Sequence, residues 1–159
     1  MTASPGGSVH SIDYFRRSDW AGLKRHIAAL PPQAAYSQIV ELAFASPLDT
    51  CLDGLVDGPE DVLGRTIAGG IGRYRAKRIR GPRLAGPAAD HTLERYSRGF
   101  AEATSQLWAA IAVDPHHGLA AAFLASAASE LPRDEVDEVE TLLVDAAAVP
   151  ASAFVELLS

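Results

Sequence analysis

Residues 67 to 81 read IAGGIGRYRAKRIRG, and the fold depends on how this stretch is interpreted. Three glycines lie within four residues, and six of the next eight residues are aromatic or basic. Apolar residues run through and beyond the glycines at steps of four, four and three: Leu63, Ile67, Ile71 and Tyr74. This spacing is typical of one face of an α-helix and predicts a helix from about Pro59 to Arg80.

Glycines in such a stretch can also form a phosphate-binding loop. That loop needs a strand before it and a helix amino terminus after it, so that free amides face the anion. Here the glycines lie inside the apolar stripe, and no strand pattern precedes them. We therefore predict a helix whose small residues let a neighbouring helix approach closely, because glycine inside a helix otherwise costs up to about 1 kcal/mol.

The basic residues that follow the glycines have three possible roles. Seven of the fourteen Lys and Arg residues lie within 65–83, whereas seven acidic residues lie within 130–145. The arginines could form a solvated helix end, bind an acidic or phosphorylated ligand, or pair with the acidic segment within the chain or between subunits. The sequence predicts a partner-binding surface from six residues: Arg73, Tyr74, Arg75, Arg78, Arg98 and Trp108. Arg98 joins this surface if the two long helices pair antiparallel.

The rest of the chain also reads as helices separated by proline, glycine and aspartate. Helical segments are predicted at about 9–17, 19–29, 33–45, 47–56, 59–80, 90–113, 116–130, 134–147 and 150–158. Ser18 or Asp19 is the expected amino-terminal cap of the second segment, Ser46 caps the fourth before Pro47, and Asp90 caps the long later one. The prediction is an all-α bundle of about seven to eight helices, with a disordered tail at 1–8 and a single domain at 9–159.

Composition and charge exclude several classes of protein. The formal net charge of −6 argues against general nucleic-acid binding, since duplex affinity comes mostly from neutralising phosphates. The lone Cys51 excludes an internal disulfide and a cysteine-rich zinc site. No apolar run is long enough for a membrane span, and the first residues lack a signal-peptide pattern, so we expect a cytoplasmic protein. With Cys51 as its one cysteine, we also expect the protein to need no metal or cofactor.

Few residues suggest catalysis. Glu41 interrupts an apolar run at Ile39–Phe44, where it either faces solvent, which the neighbouring Ser37 and Gln38 favour, or is buried as a general base. His116 and His117 are adjacent and would point about 100° apart on a helix, which disfavours a shared metal. Trp108 is expected to line the core or a groove.

Residues 96 to 127 read YSRGFAEATSQLWAAIAVDPHHGLAAAFLASA and resemble a tetratricopeptide-repeat junction. In that repeat, small alanines let paired helices pack closely, and a proline ends the second helix, as Pro115 does here. The chain is also similar, over about residues 18 to 130, to a group of actinobacterial proteins with tetratricopeptide-like helices. The matching residues are Ser18-Asp19-Trp20, Arg73-Tyr74, Phe100 and Asp114-Pro115. The resemblance implies compact helical hairpins and no catalytic residues.

Two functions remain open from the sequence. We favour a binding or adaptor module that holds a protein or peptide partner, such as an acidic segment, in a helical groove, with a homo-oligomer as a further expectation. The alternative is a small enzyme of bacterial specialised metabolism with acid–base residues in a helical pocket. A shallow open groove would indicate the first function, and an enclosed pocket with a buried carboxylate or histidine would indicate the second.

Overall fold

A computed structural model describes residues 10–47, 50–80, 87–146 and 149–150, and these residues form helices and connecting turns. The α-helices are α1 (Ser11–Arg16), α2 (Trp20–Ala28), α3 (Pro32–Ala45), α4 (Val62–Arg80), α5 (Pro87–Val113), α6 (Gly118–Ser126) and α7 (Arg133–Asp145). Short 3-10 turns lie at Asp53–Leu55 and Ala128–Glu130. No strand occurs in these ranges, so the prediction of an all-α bundle is confirmed.

The glycines of α4 allow it to pair closely with α5. A methyl group added at Gly69 would lie 2.7 Å from Leu107 Cγ and 3.0 Å from the carbonyl oxygen of Ala103. One turn later, a methyl group at Gly72 would lie 3.1 Å from Ala103 Cβ. Further along, Gly99 of α5 lies beside Ala76, so the two helices run antiparallel. The predicted close approach of a neighbouring helix is therefore present, as is the antiparallel pairing.

Helix α6 lies at the centre of the bundle. Each of its nine residues is buried, and it contacts α3, α4, α5 and α7. Phe123 of α6 stacks on Tyr36 of α3 with ring centroids 4.4 Å apart, and Gly70 of α4 leaves room for the Phe123 ring. The hydroxyls of Tyr36 and Tyr74 are hydrogen-bonded at 2.7 Å in the same buried cluster. An alanine-rich sequence suits this position because small side chains let four neighbours pack around one helix.

Several predicted boundaries are confirmed by capping contacts. The side chain of Asp19 accepts a hydrogen bond from the backbone N–H of Gly22 at 3.0 Å and caps α2. Helix α5 ends at Val113, and the Asp114–Pro115 step leads through a turn into α6. Within that turn, Asp114 Oδ1 accepts the backbone N–H of His116 at 3.1 Å. The predicted helix-to-helix turn at Asp114–Pro115 is therefore correct.

The helix predicted at 47–56 is wrong. Residues 50–56 form only the 3-10 turn Asp53–Leu55, because the carbonyl oxygens of Pro47 and Thr50 accept hydrogen bonds from the side chain of Arg75. The carbonyl of Pro47 also accepts the backbone N–H of Thr50 at 3.2 Å, so a local turn and the side chain of Arg75 together replace helical hydrogen bonds in this segment.

Two more predicted helix starts are corrected. Helix α4 begins at Val62 instead of Pro59. Helix α5 begins at Pro87 and passes through Asp90, so Asp90 does not cap it, and proline suits the first helical position because its missing N–H is not needed there. The predicted tail at 1–8 and helix at 150–158 fall outside the described residues, except for Pro150.

Candidate functional site

Arg73, the first residue of the predicted binding surface, lies inside the bundle. Its side chain is 3% exposed, and Nη2 donates to the carbonyl oxygen of Ser126 at 3.0 Å and to Glu130 Oε2 at 2.8 Å. The guanidinium lies against the rings of Tyr74 and Phe100, with centroid distances of 5.8 and 5.7 Å. The buried Arg73 therefore forms an ion pair with Glu130, a half-buried residue that begins the acidic segment 130–145.

Arg78 binds the carboxyl end of α3, and Arg75 binds the segment that follows it. Arg75 Nη1 donates to the carbonyl of Thr50 at 2.9 Å, and Nη2 donates to Ser46 Oγ at 3.0 Å and to the carbonyl of Pro47 at 3.1 Å. Arg78 Nη1 donates to the carbonyls of Ala43 and Ser46 at 2.6 and 2.9 Å. The last carbonyls of a helix have no intrahelical partner and carry partial negative charge, and Arg78 satisfies the carbonyl of Ala43 in the last turn of α3. The carbonyls that Arg75 binds lie in the segment that follows α3.

The other three residues of the predicted surface are separated. Tyr74 is buried in the aromatic cluster with Tyr36 and Phe123, and Trp108 is half-buried. Arg98 is 66% exposed, with Nη2 3.5 Å from Glu94 one turn away. The structure thus does not join the six residues into one exposed surface, and their role in binding a partner stays a prediction.

The two histidines of the Asp114–Pro115 turn point to different neighbours. His116 Nδ1 lies 3.3 Å from the carbonyl oxygen of Asp145, whereas His117 Nδ1 lies 3.8 Å from Asp114 Oδ2. Burial lowers the pKa of His117, and the nearby Asp114 carboxylate opposes this shift only in part. Nowhere in the described part of the chain do three metal-ligating side chains come together.

Glu41 faces solvent, as the favoured interpretation predicts. It lies on the rim of an open groove between α1 and α3 with a volume of about 720 Å³. We call this the α1–α3 groove, and its lining residues are His10, Ser11, Ile12, Arg16, Gln38, Glu41, Leu42, Phe44 and Ala45. Phe44 is 53% exposed, so a large apolar side chain of the groove is only half covered by the protein itself.

Fixed and free polar groups are both present in the α1–α3 groove. Gln38 is held in place, because its side-chain oxygen accepts a hydrogen bond from the Ser11 hydroxyl and lies 2.9 Å from His26 Nε2. By contrast, the side chains of Arg16 and Glu41 form no hydrogen bond or ion pair with any other residue that the structure describes. One unpaired positive and one unpaired negative charge therefore border an apolar floor.

The groove continues beyond Arg16 into a smaller depression of about 250 Å³. Both cavities share Ile12, Arg16 and Ala45, and the smaller one adds Phe15, Ser18, Ser46, Pro47 and Thr50. Arg16 therefore stands between two concave surfaces on the same side of the molecule. Arg16 and Phe44 were not predicted as site residues, because neither departs from an ordinary helix pattern in the sequence, and only the packing of α1 against α3 brings them to one groove.

A second cavity of about 720 Å³ lies between α4, α5 and the 3-10 turn at Asp53–Leu55. Small residues such as Gly72, Ala76 and Gly99 form much of its wall. The arginine side chains that reach it already have partners: Arg65 bonds to Pro59 and Gln106, and Arg75 to Thr50. Its lining also includes Asp53 and Glu102, which are exposed and form no ion pair with any residue that the structure describes, so its free charges are both negative.

The described residues therefore form an all-α bundle with the open α1–α3 groove on its surface. No described helix is both long enough and apolar enough to cross a bilayer. No protein-family model, curated protein or solved structure matches the chain. Its tetratricopeptide-like and actinobacterial resemblance therefore stays a prediction.

Proposed function

We propose that this chain is a helical binding module that holds a segment of a partner protein in the α1–α3 groove. The observation that carries the proposal is the half-exposed ring of Phe44 in an open groove, bordered by the unpaired side chains of Arg16 and Glu41. Apolar anchors surrounded by polar groups are the usual arrangement at protein interfaces.

The free energy of binding in this groove would come mainly from burying apolar surface. Leu42 is fully buried beneath the groove, and Ile12 is partly buried against the core, whereas Phe44 exposes about half of its side chain. Covering the exposed part of an aromatic side chain contributes on the order of 1–2 kcal/mol, and a partner segment would cover the surrounding apolar area at the same time.

The enzyme alternative has less support. A general base needs a carboxylate or imidazole placed in a site that excludes water, since burial is what tunes it for proton transfer. Glu41 was the candidate base, and it is exposed on the rim of an open groove. An exposed carboxylate is better suited to pairing with a charged residue of a partner.

A display experiment tests the proposed function. A library of random 12-residue peptides is selected on the wild-type protein, and each enriched peptide is then measured against two variants. Phe44→Ala should weaken binding about tenfold, the usual effect of removing an interface anchor. Leu93→Ala is the matched control, because Leu93 is a large apolar residue with 41% exposure that lies on α5, outside the groove.

The outcome is decisive in both directions. Enriched peptides that depend on Phe44 and ignore Leu93 would support the groove as the binding site. A selection in which every enriched peptide binds Phe44→Ala as tightly as the wild type would overturn the proposed function.

A further inference from the structure

We propose that the smaller depression beside the α1–α3 groove binds a carboxylate side chain of the partner segment, while an apolar side chain of the same segment lies against Phe44. This inference rests on the proposed function and specifies the partner segment as acidic. It follows from the side chains that meet in the smaller depression and from the hydrogen-bonding groups that they leave unused.

Three side chains around the smaller depression have unused hydrogen-bond donors. Arg16 is the last residue of α1, Ser18 lies in the turn that follows, and Thr50 lies in the segment after α3. None of these side chains forms a hydrogen bond or ion pair with another residue that the structure describes. Ser46 lines the same depression, but its hydroxyl already donates to a carbonyl of α3 and accepts from Arg75. One guanidinium and two hydroxyls therefore offer free donors around one concave surface.

The charge around the smaller depression is positive. Of the described residues that line it, Arg16 alone is charged, and Glu41 lines only the larger depression. Arginine presents a planar fork of donors that fits a carboxylate, and its single charge matches that of one Asp or Glu side chain. A phosphorylated side chain carries nearly two negative charges and is usually bound by a cluster of arginines. The donor set of this depression therefore favours a carboxylate over a phosphate.

The apolar contact and the proposed carboxylate contact are neighbours. Ile12, Arg16 and Ala45 line both depressions, and Phe44 directly precedes Ala45 in α3. One short segment can therefore reach the exposed ring of Phe44 and the guanidinium of Arg16 together. Affinity would come mainly from the apolar contact, whereas Arg16 would supply specificity, since a basic residue placed beside it is repelled.

The random 12-residue library of the display experiment provides the first probe. It is selected in parallel on the wild-type protein, on Arg16→Glu and on Arg25→Glu. Peptides selected on the wild type should contain Asp and Glu at least about twofold more often than the unselected library does. Selection on Arg16→Glu should favour Lys and Arg instead.

Arg25→Glu is the matched control for Arg16→Glu. Both arginines are exposed and lie in the last turn of their helices, so the two substitutions make the same charge change against the same end of a helix dipole. Arg25 lines neither depression, and this variant should select the same peptides as the wild type. Thermal melting of both variants establishes that they are folded.

A second measurement places the carboxylate. One enriched peptide is synthesised with its acidic residue, with the corresponding amide, and with phosphoserine at that position, and each form is measured by fluorescence anisotropy. The amide peptide should bind the wild type about fivefold more weakly than the acidic peptide, and this difference should fall below about twofold on Arg16→Gln. Thr50→Val keeps the shape of the side chain but removes its hydroxyl, and should weaken the acidic peptide about threefold. Equal binding of the acidic peptide to Thr50→Val and to the wild type would overturn its placement in the smaller depression.

The outcomes separate the inference from the proposed function. If peptides depend on Phe44 but show no excess of acidic residues, or if Arg16→Glu selects the same peptides as the wild type, the inference is wrong and the proposed function stands. Binding of the phosphoserine peptide more than about tenfold tighter than the acidic one would also overturn the inference, in favour of a phosphate site. If no peptide depends on Phe44, both are wrong. If the protein alone self-associates and Phe44→Ala abolishes the association, a second copy of the chain occupies the groove, and the inference is overturned.

Discussion

Replacing Gly69 with alanine should destabilise the protein, although alanine is the better helix former. The added methyl group would lie 2.7 and 2.8 Å from Cγ and Cδ2 of Leu107 and 3.0 Å from the carbonyl oxygen of Ala103. Carbon atoms in good contact are about 3.5–4.0 Å apart, so either Leu107 or the backbone of α5 has to move. Leu107 is fully buried, which leaves its side chain little space into which to move.

The magnitude follows from two opposing effects. Overpacking a buried site costs about 1–3 kcal/mol, and the exchange of glycine for alanine inside a helix returns up to about 1 kcal/mol. We expect Gly69→Ala to lower the free energy of unfolding by about 1–2 kcal/mol. For a chain of this size, that corresponds to a fall of roughly 2–8 °C in the melting temperature.

Gly99→Ala is the matched control for this substitution. Gly99 lies within α5, and its added methyl group would be 3.7 Å from Ala76 Cβ, which is an ordinary contact. It should therefore stabilise the protein by about 0.5–1 kcal/mol. Urea denaturation of both variants, followed by circular dichroism at 222 nm, measures the two changes. If Gly69→Ala proves as stable as Gly99→Ala, the close packing of α4 on α5 does not explain the glycine.

Three further predictions concern the charged residues inside the bundle. Arg75→Met should destabilise the protein by about 2–4 kcal/mol in urea denaturation. Arg75→Lys should not restore stability, because an ammonium group cannot replace a planar guanidinium that bonds three oxygens. Full stability of the lysine variant would refute this prediction. Glu130→Ala should cost about 3 kcal/mol, since it leaves the buried guanidinium of Arg73 without a carboxylate and removes the acceptor of the Tyr96 hydroxyl. A loss below about 1 kcal/mol would contradict a structural role for this ion pair. Burial alone would raise the pKa of Asp61, but hydrogen bonds from Lys24 and two backbone N–H groups outweigh it and hold the pKa below its ordinary value of 3.8. Because the pKa is lower in the folded state, the Asp61 carboxylate stabilises the fold above about pH 4 and loses this effect as the pH falls further. Stability of Asp61→Asn, measured from pH 6 to pH 2.5, should therefore depend less on pH than that of the wild type, and an identical acid dependence would refute the assignment.

The helical fold could be predicted from the sequence because its local signals agree with one another. The steps of four, four and three residues through Ile67 and Ile71 predicted α4, and Asp114–Pro115 predicted the turn into α6. Where a side chain from a distant helix competes with local hydrogen bonding, the prediction was wrong. The segment 47–56 has a good helix start at Ser46-Pro47, but Arg75 binds its carbonyls from α4.

The positions of the arginines could have been predicted better than they were. Arg75 and Arg78 follow Ile71 at four and seven residues, so they continue the buried stripe of α4 and face α3. The spacing of these arginines from Ile71 is therefore more informative than the number of basic residues in the segment. The α1–α3 groove, in contrast, depends on how two helices separated by α2 pack together, and no local pattern encodes that.

The most direct test of the central claim is an amide chemical-shift titration of the isotope-labelled protein with a peptide selected by display. The account predicts that the largest shift changes fall within 10–16 and 38–45, the parts of α1 and α3 that line the groove, and that Phe44→Ala abolishes them. Changes concentrated along α5 around Arg98, or in the cavity beside Gly72 and Gly99, would contradict the account and place the binding site elsewhere on the bundle.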